Sequence, residues 1–417
     1  MCAAKKQDTT GCQALPCKRS RKARIEGVKM KIGESARLLL LAAAPVLAGF
    51  LAGCGDFWQA PSGGSSSTGT GASSSVFYVL NQGTKQIAGY SIVSGTLTPV
   101  TGSPYTLAAA PYSIAISPAN NFLYVGTSSG IYLYNIASGG ALTLANNSAV
   151  ISSDFATTMQ VDGTVGWLIE AGPNLADLIA IPINSTTGAP TSTIEQKVQL
   201  PAATVYQLAV SQDNAHVAAA LGSSGTEEIP FTAGSSTPFG TPINKGLANS
   251  AGASVSVAID PSNRLLYVGE TAATSGSNSG GLRVFNLSTL AEVTGSPYAT
   301  SGLAPYAIAP EAKGNYVYVA NRTVSGSSTG NIAGFAVTTV GATYSLTALS
   351  TTATAGTTPV GLTEEGLENY LLVVDSGGSP DLEAYTFDST TAGKLDSALS
   401  QSTGTDPVQA VAIAAAP

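Results

Sequence analysis

Histidine is almost missing from this sequence: His216 is the only one in 417 residues. A Ser-His-Asp arrangement or a histidine-based redox or metal centre would have to be built on that single imidazole. Cysteine is confined to positions 2, 12, 17 and 54, so no disulfide can form beyond Cys54 and the fold there must rest on burial. Charge is scarce, at 10% of residues, and unequal, with 18 Lys+Arg against 25 Asp+Glu. From Cys54 onward eight basic residues face 22 acidic ones, a net charge near −14. Such a surface repels nucleic acid and anionic lipid. Only Arg264, Arg283 and Arg322 remain as arginines in that part. No convincing amphipathic helix of ten or more residues is present, and no Gly-rich phosphate loop follows a strand and opens a helix. The one long apolar run, residues 38–51, has 14 residues, short of the roughly 20 that span a bilayer as a helix.

That run has a context. Lys31 and Arg37 precede it and small residues follow, the order of a secretory signal. It ends in Leu51-Ala52-Gly53-Cys54, which resembles the lipobox of bacterial lipoproteins. The resemblance implies cleavage before Cys54 and lipidation of its thiol. An ordinary signal peptide with a nearby cysteine is the plain alternative. Residues 1–29, with Cys2, Cys12, Cys17 and a basic cluster, read as an extension from a start codon set too far upstream, although three such cysteines could suggest a metal site. Residues 30–53 then form the signal, and residues 54–75 the lipidated cysteine with its tether. The stretch Pro61 to Ser75, PSGGSSSTGTGASSS, holds no apolar residue larger than Ala. As coil it would reach roughly 20 Å, enough to lift a domain off a membrane. These features predict a monomer outside the cytoplasm, held to a membrane by lipid. Gly55 rather than Asp after the cysteine leaves the outer membrane open.

From Val76 to the end, short Val-, Ile-, Tyr- and Leu-rich runs alternate with Gly, Ser, Asn and Pro clusters, an all-β texture. A unit of three strands recurs about every 44 to 54 residues. First strands begin near Pro111, Phe155, Val205, Ser254, Pro305, Pro359 and Pro407. Second strands centre on Tyr78-Val79, Tyr124-Val125, Trp167-Leu168, Val217-Ala218, Tyr267-Val268, Tyr318-Val319 and Leu372-Val373. Third strands start at Ile87, Ile131, Leu178, Ile229, Leu282, Ile332 and Leu382. The chain comes in on a second strand and leaves on a first strand, so its ends are complementary parts of one unit. This phase predicts a seven-bladed β-propeller over 76–417, closed by pairing of the C-terminal strand with the N-terminal blade. The pentapeptide Thr101-Gly102-Ser103-Pro104-Tyr105 returns as residues 294–298, a sign of duplication. Turns such as Asp260-Pro261-Ser262-Asn263 are read as turn chemistry rather than metal ligation.

Second strands such as Tyr78-Val79-Leu80-Asn81 and Tyr318-Val319-Ala320-Asn321 resemble YVTN-type repeats, and through them the seven-bladed lactonase family, whose founding activity is 6-phosphogluconolactonase. The resemblance implies the propeller, and with it a possible hydrolysis of lactones. Lactone hydrolysis needs an activated water and a stabilised oxyanion. A phosphorylated substrate also needs cations, which are few here. In propellers the loops after second strands and before first strands line one mouth of the channel. Second strands here run into Asn81, Glu170, Glu270, Asn321 with Arg322, and Asp375. Glu170, Glu270, Arg322 and Asp375 are therefore the candidate catalytic residues, and their carboxylates, if they converge, suit a divalent cation or a general base. The plain alternative makes them solvated loop residues. His216, Arg264 and Arg283 read as turn or strand residues. Two functions stay open: a scaffold that binds an envelope protein or glycan, and a hydrolase of an unphosphorylated sugar lactone.

Overall fold

The computed structural model describes residues 75–416, apart from 174–175, 203, 355 and 402–409. Cys54, the signal and the tether lie outside the described residues, as does Pro407. No α-helix occurs among the described residues, and their strands form seven antiparallel sheets. Each sheet is one blade.

In first-to-fourth order, blade 2 comprises Pro111–Ile116, Phe122–Thr127, Gly130–Ile136 and Leu142–Leu144. Blade 3 comprises Thr158–Val161, Trp167–Ala171, Asp177–Pro182 and Gln196–Gln199. Blade 4 holds Gln207–Val210, His216–Ala220, Thr226–Pro230 and Ile243–Lys245, and blade 5 holds Ser254–Ile259, Leu265–Glu270, Gly281–Asn286 and Tyr298–Ala299. Blade 6 is Pro305–Pro310, Tyr316–Asn321, Asn331–Val340 and Thr343–Ala353, and blade 7 is Thr357–Glu364, Tyr370–Gly377, Leu382–Phe387 and Leu395–Gln401. Blade 1 joins the chain ends. Its first strand is Ala410–Ala415, and the others are Val76–Asn81, Gln86–Val93 and Thr96–Pro99, with the short strand Tyr105–Thr106 also paired to Gln86–Val93. Phe77 pairs with Ala415 and Val79 with Ile413, so the ring closes as the phase of the repeats predicts.

Alternation along the strands gives each blade two apolar faces. Adjacent blades pack them together, and seven separate core clusters result, one at every joint of the ring. The joint between blades 7 and 1, with Phe77, Val79, Leu372 and Val374, is built like the rest. The second-strand tyrosine does more than fill space. Tyr78, Tyr124 and Tyr318 are buried, and each donates to a glycine carbonyl in the third-to-fourth hairpin of the next blade. Those glycines, Gly140, Gly188 and Gly393, have φ of 82°, 69° and 76°, where a side chain would be strained. Each tyrosine thus bolts one blade to its neighbour.

The first-to-second turns share one geometry. The residue opening the turn (Ser117, Asp162, Ser211, Asp260, Glu311 or Glu365) accepts backbone N–H bonds through its own side chain. A left-handed residue follows three positions on, such as Asn120, Val165, Asn214, Asn263, Gly314 or Glu368. These acidic side chains therefore serve turns, as read from sequence. The repeated pentapeptide also folds alike in both places: Tyr105 donates to Thr101 O and Tyr298 to Thr294 O, and each hydroxyl accepts from a residue of the following blade, Leu142 or Leu346.

Two features differ from the sequence reading. Each blade has a fourth strand that the repeat did not reveal. In blade 3 the turn Asp162–Trp167 places Ile169-Glu170, not Trp167-Leu168, opposite the first strand as Tyr124-Val125 stands in blade 2. In blade 4, by the same register, Ala218-Ala219 takes that place rather than Val217-Ala218.

Candidate functional site

First strands start, and second strands end, at the same end of the ring. A cavity of about 530 Å³ opens there into the central channel. Its rim carries Tyr112, Tyr206 and Tyr306, from blades 2, 4 and 6, with Gln82, Ser376 and Arg322. The register of blades 2 and 6 shifts by one residue, between Pro111 and Ser113 and between Pro305 and Ala307. Such a bulge re-aims the extra residue, and Tyr112 and Tyr306 are those extra residues. Tyr112 is fixed edge-on by Phe155, at 4.6 Å between centroids. Gln82 donates to Pro111 O at 3.2 Å. Deeper in, Gln160 and Gln207 face the channel.

Arg322 is the only charged side chain among the described residues lining this cavity. Its Cζ stands 3.4 Å from the centre of the Tyr306 ring, a cation–π contact. Its buried Nε has no hydrogen-bond partner in the described structure. Its neighbour Asn321 is held rigidly. That amide donates to Thr300 O and Asn331 Oδ1, each at 2.8 Å, and accepts from Thr300 Oγ1 at 2.8 Å. A guanidinium propped on an aromatic face, the one charge on this rim among the described residues, is suited to receive an anion.

The three candidate carboxylates do not join Arg322. Glu170, Glu270 and Asp375 are buried inside blades and line no part of the cavity. They are neither convergent at the mouth nor solvated, because neighbouring segments pack over them: a Cβ on Gly356, for instance, would stand 2.6 Å from Asp375. Among the described residues no three of His, Cys, Asp and Glu come together to hold a metal ion. Glu270 is neutralised by Arg283 at 2.9 Å and accepts from Ala248 N at 2.9 Å. Arg283 also binds Glu292 at 2.7 Å and lies over the Phe285 ring. Glu170 and Asp375 lack such partners. No donor stands in good hydrogen-bond geometry to either carboxyl in the described structure, and the nearby Thr354 hydroxyl offsets only a little of the burial of Asp375. Burial, reinforced by Asp154 and Glu195, pushes Glu170 up to about 8. Burial, reinforced by Glu383 and Asp381, does the same to Asp375.

His216 sits at the opposite end of the ring, with Nδ1 2.7 Å from the buried Glu228, and that bond raises its pKa. Arg264 pairs with the turn residue Asp260 at 2.7 Å and donates to Gly314 O. Both are structural, as is Arg283. Because Arg283 and Glu270 are nearly sealed from water, Arg283→Met should cost about 3–5 kcal/mol by stranding the carboxylate. Adding Glu270→Gln should recover much of that loss in a denaturant-melt double-mutant cycle. Equal losses in the single and double variants would show that the pair is not coupled.

Sequence reasoning found Arg322 but missed the mouth tyrosines. Their signal was present in the recurring Pro-Tyr that opens the first strands at 111–112 and 305–306.

The chain is a seven-bladed β-propeller with an open channel mouth, and its fold is like that of lactonase propellers. Several of the solved structures it resembles are lactonases or candidate lactonases. A periplasmic gluconolactonase of Pseudomonas aeruginosa matches with a TM-score of 0.62 at 15% identity, over 82% of this chain and 99% of that one. A candidate 6-phosphogluconolactonase of Bacteroides fragilis matches at 0.62 and 13%, over 81% and 97%. Another, from Bacteroides uniformis, matches at 0.61 and 16%, over 81% and 98%. At such identities the likeness is one of fold. No protein-family model matches the sequence, and no curated protein does.

Proposed function

We propose that this chain is a lipid-anchored binding protein of the cell envelope that takes an acidic sugar or acidic glycan at the channel mouth. The observation that carries this reading is Arg322: a lone charge held against an aromatic face, inside a rim of three tyrosines. Tyrosine faces stack on sugar rings while their hydroxyls reach polar groups, and the guanidinium pairs with a carboxylate. The lipobox resemblance at Cys54 and the Ser/Gly-rich stretch after it support the placement.

A second reading, hydrolysis of an unphosphorylated sugar lactone, is favoured by the gluconolactonase among the structural neighbours. It lacks a carboxylate or imidazole among the described residues that line the cavity. Titration calorimetry with gluconate, galacturonate oligomers and neutral glucose oligomers separates the two, run beside a lactone-turnover assay. The expected result is binding of the acids without turnover of their lactones. Arg322→Ala should weaken that binding by roughly 10- to 150-fold, the loss of a charge-assisted hydrogen bond. Turnover abolished by the same substitution would replace the binding reading with the hydrolytic one.

A further inference from the structure

The described chain begins at the end of the ring opposite the cavity. Second strands run toward the mouth, because their last residues pair with the first-strand starts, as Thr127 does with Pro111 and Asn321 with Pro305. Val76 opens a second strand and so lies at the far end. Ser75 lies there too, its carbonyl accepting from Ile92 N at 3.4 Å. The described chain therefore starts on the face away from the channel mouth.

That face carries exposed aliphatic side chains. Third strands run away from the mouth, and two of them end in Val93 and Val340, which are 55% and 74% exposed. Leu367, 54% exposed, sits in the first-to-second turn of blade 7 at the same end. The three belong to consecutive blades, 6, 7 and 1. Leu367 borders a groove that also takes in Ile92, Ser94 and Gly95 on either side of Val93. The outer hairpin of blade 6, with strands of 10 and 11 residues, is the longest among the described strands and ends at Val340. Single exposed aliphatics are ordinary on any protein. Their gathering on the face where the described chain begins is what distinguishes these.

We propose that this end of the propeller is a lipid-facing surface, with Val93, Val340 and Leu367 dipping into the interface of a zwitterionic bilayer so that the channel mouth points away from it. The inference rests on the lipid anchor proposed above. Zwitterionic rather than anionic lipid is required by the charge: the groove itself includes Glu365 and Glu368, and the chain from Cys54 on is strongly acidic. Affinity need not be high, because a short tether holds the face near the bilayer at an effective concentration on the order of millimolar.

The test uses lipidated protein purified from membranes and reconstituted in phosphatidylcholine vesicles that contain spin-labelled lipid. A fluorophore is placed at Val340→Cys, at Leu367→Cys or, on the mouth, at Tyr206→Cys. Quenching at the first two positions should be about threefold stronger than at the third, as for side chains roughly 5–10 Å into the interface. Adding Val340→Asp to the Leu367 probe and Leu367→Asp to the Val340 probe should remove the difference. Equal quenching at all three positions, in protein whose intact mass shows lipid on Cys54, would overturn the orientation alone. A mass without lipid would overturn the anchor, and the orientation with it.

Discussion

A chain truncated after residue 409 is expected to lose cooperative folding and to self-associate. The deleted strand, Ala410–Ala415, is the innermost strand of blade 1. It contributes Ile413 to the joint between blades 7 and 1, and Ala412 and Ala414 to the joint between blades 1 and 2. The fit at the first joint is close: a Cβ on Gly361 would stand 2.7 Å from Ile413 Cγ2. Without the strand, two of seven joints lose part of their core. The buried strand Val76–Asn81 also becomes an edge with unpaired N–H and C=O groups. Such an edge is a template for pairing with another chain. Light scattering and circular dichroism melts are the measurements. A truncated monomer melting within a few degrees of the intact chain would show that the ring does not depend on closure.

Alkaline stabilisation by Glu170→Gln and by Asp375→Asn is the second large effect. Both native carboxyls are pushed up to about 8, while unfolded carboxyls titrate near 4. The folded state therefore holds these protons more tightly than the unfolded state. Their burial is harmless below about pH 4, where both states are protonated. Stability is then lost as pH rises from about 4 to about 8, and levels off above that. At about 1.4 kcal/mol per unit, each acid costs on the order of 4 kcal/mol at pH 9. The amide variants lack that cost. Each should gain about 2–4 kcal/mol over the native chain at pH 9 and almost nothing at pH 4.5, read from urea midpoints at the two pH values. The same gain at both pH values would locate the benefit in packing rather than ionisation.

The architecture was legible because it rests on what sequence displays: apolar runs, turn residues and the phase of their repetition. Tyr78, Tyr124 and Tyr318 stood out because each bolts to the next blade and so recurs. The fourth strands did not stand out. Thr96–Pro99, Ile243–Lys245 and Gln196–Gln199 are short and largely solvated, and no apolar alternation marks them. The register slip in blade 3 at Trp167-Leu168 came from taking the aromatic as the marker, when the left-handed Val165 in the preceding turn sets the register. The candidate site was legible only in part. Arg322 falls at the mouth because it is the first residue past a strand end. Glu170 and Asp375 looked alike on that criterion, but what covers a strand end is a neighbouring crossover, and one blade's sequence does not reveal its neighbour's loops.

Closure by the two chain ends has a mechanical consequence. Residues Val76–Asn81 form an inner strand, paired with Gln86–Val93 on one side and Ala410–Ala415 on the other. A pull on the chain at Ser75 acts along this strand. It loads two antiparallel ladders in shear at once, and no outermost strand is exposed to be peeled away one hydrogen bond at a time. A ring hung from that point would bear drag through a strand held on both sides.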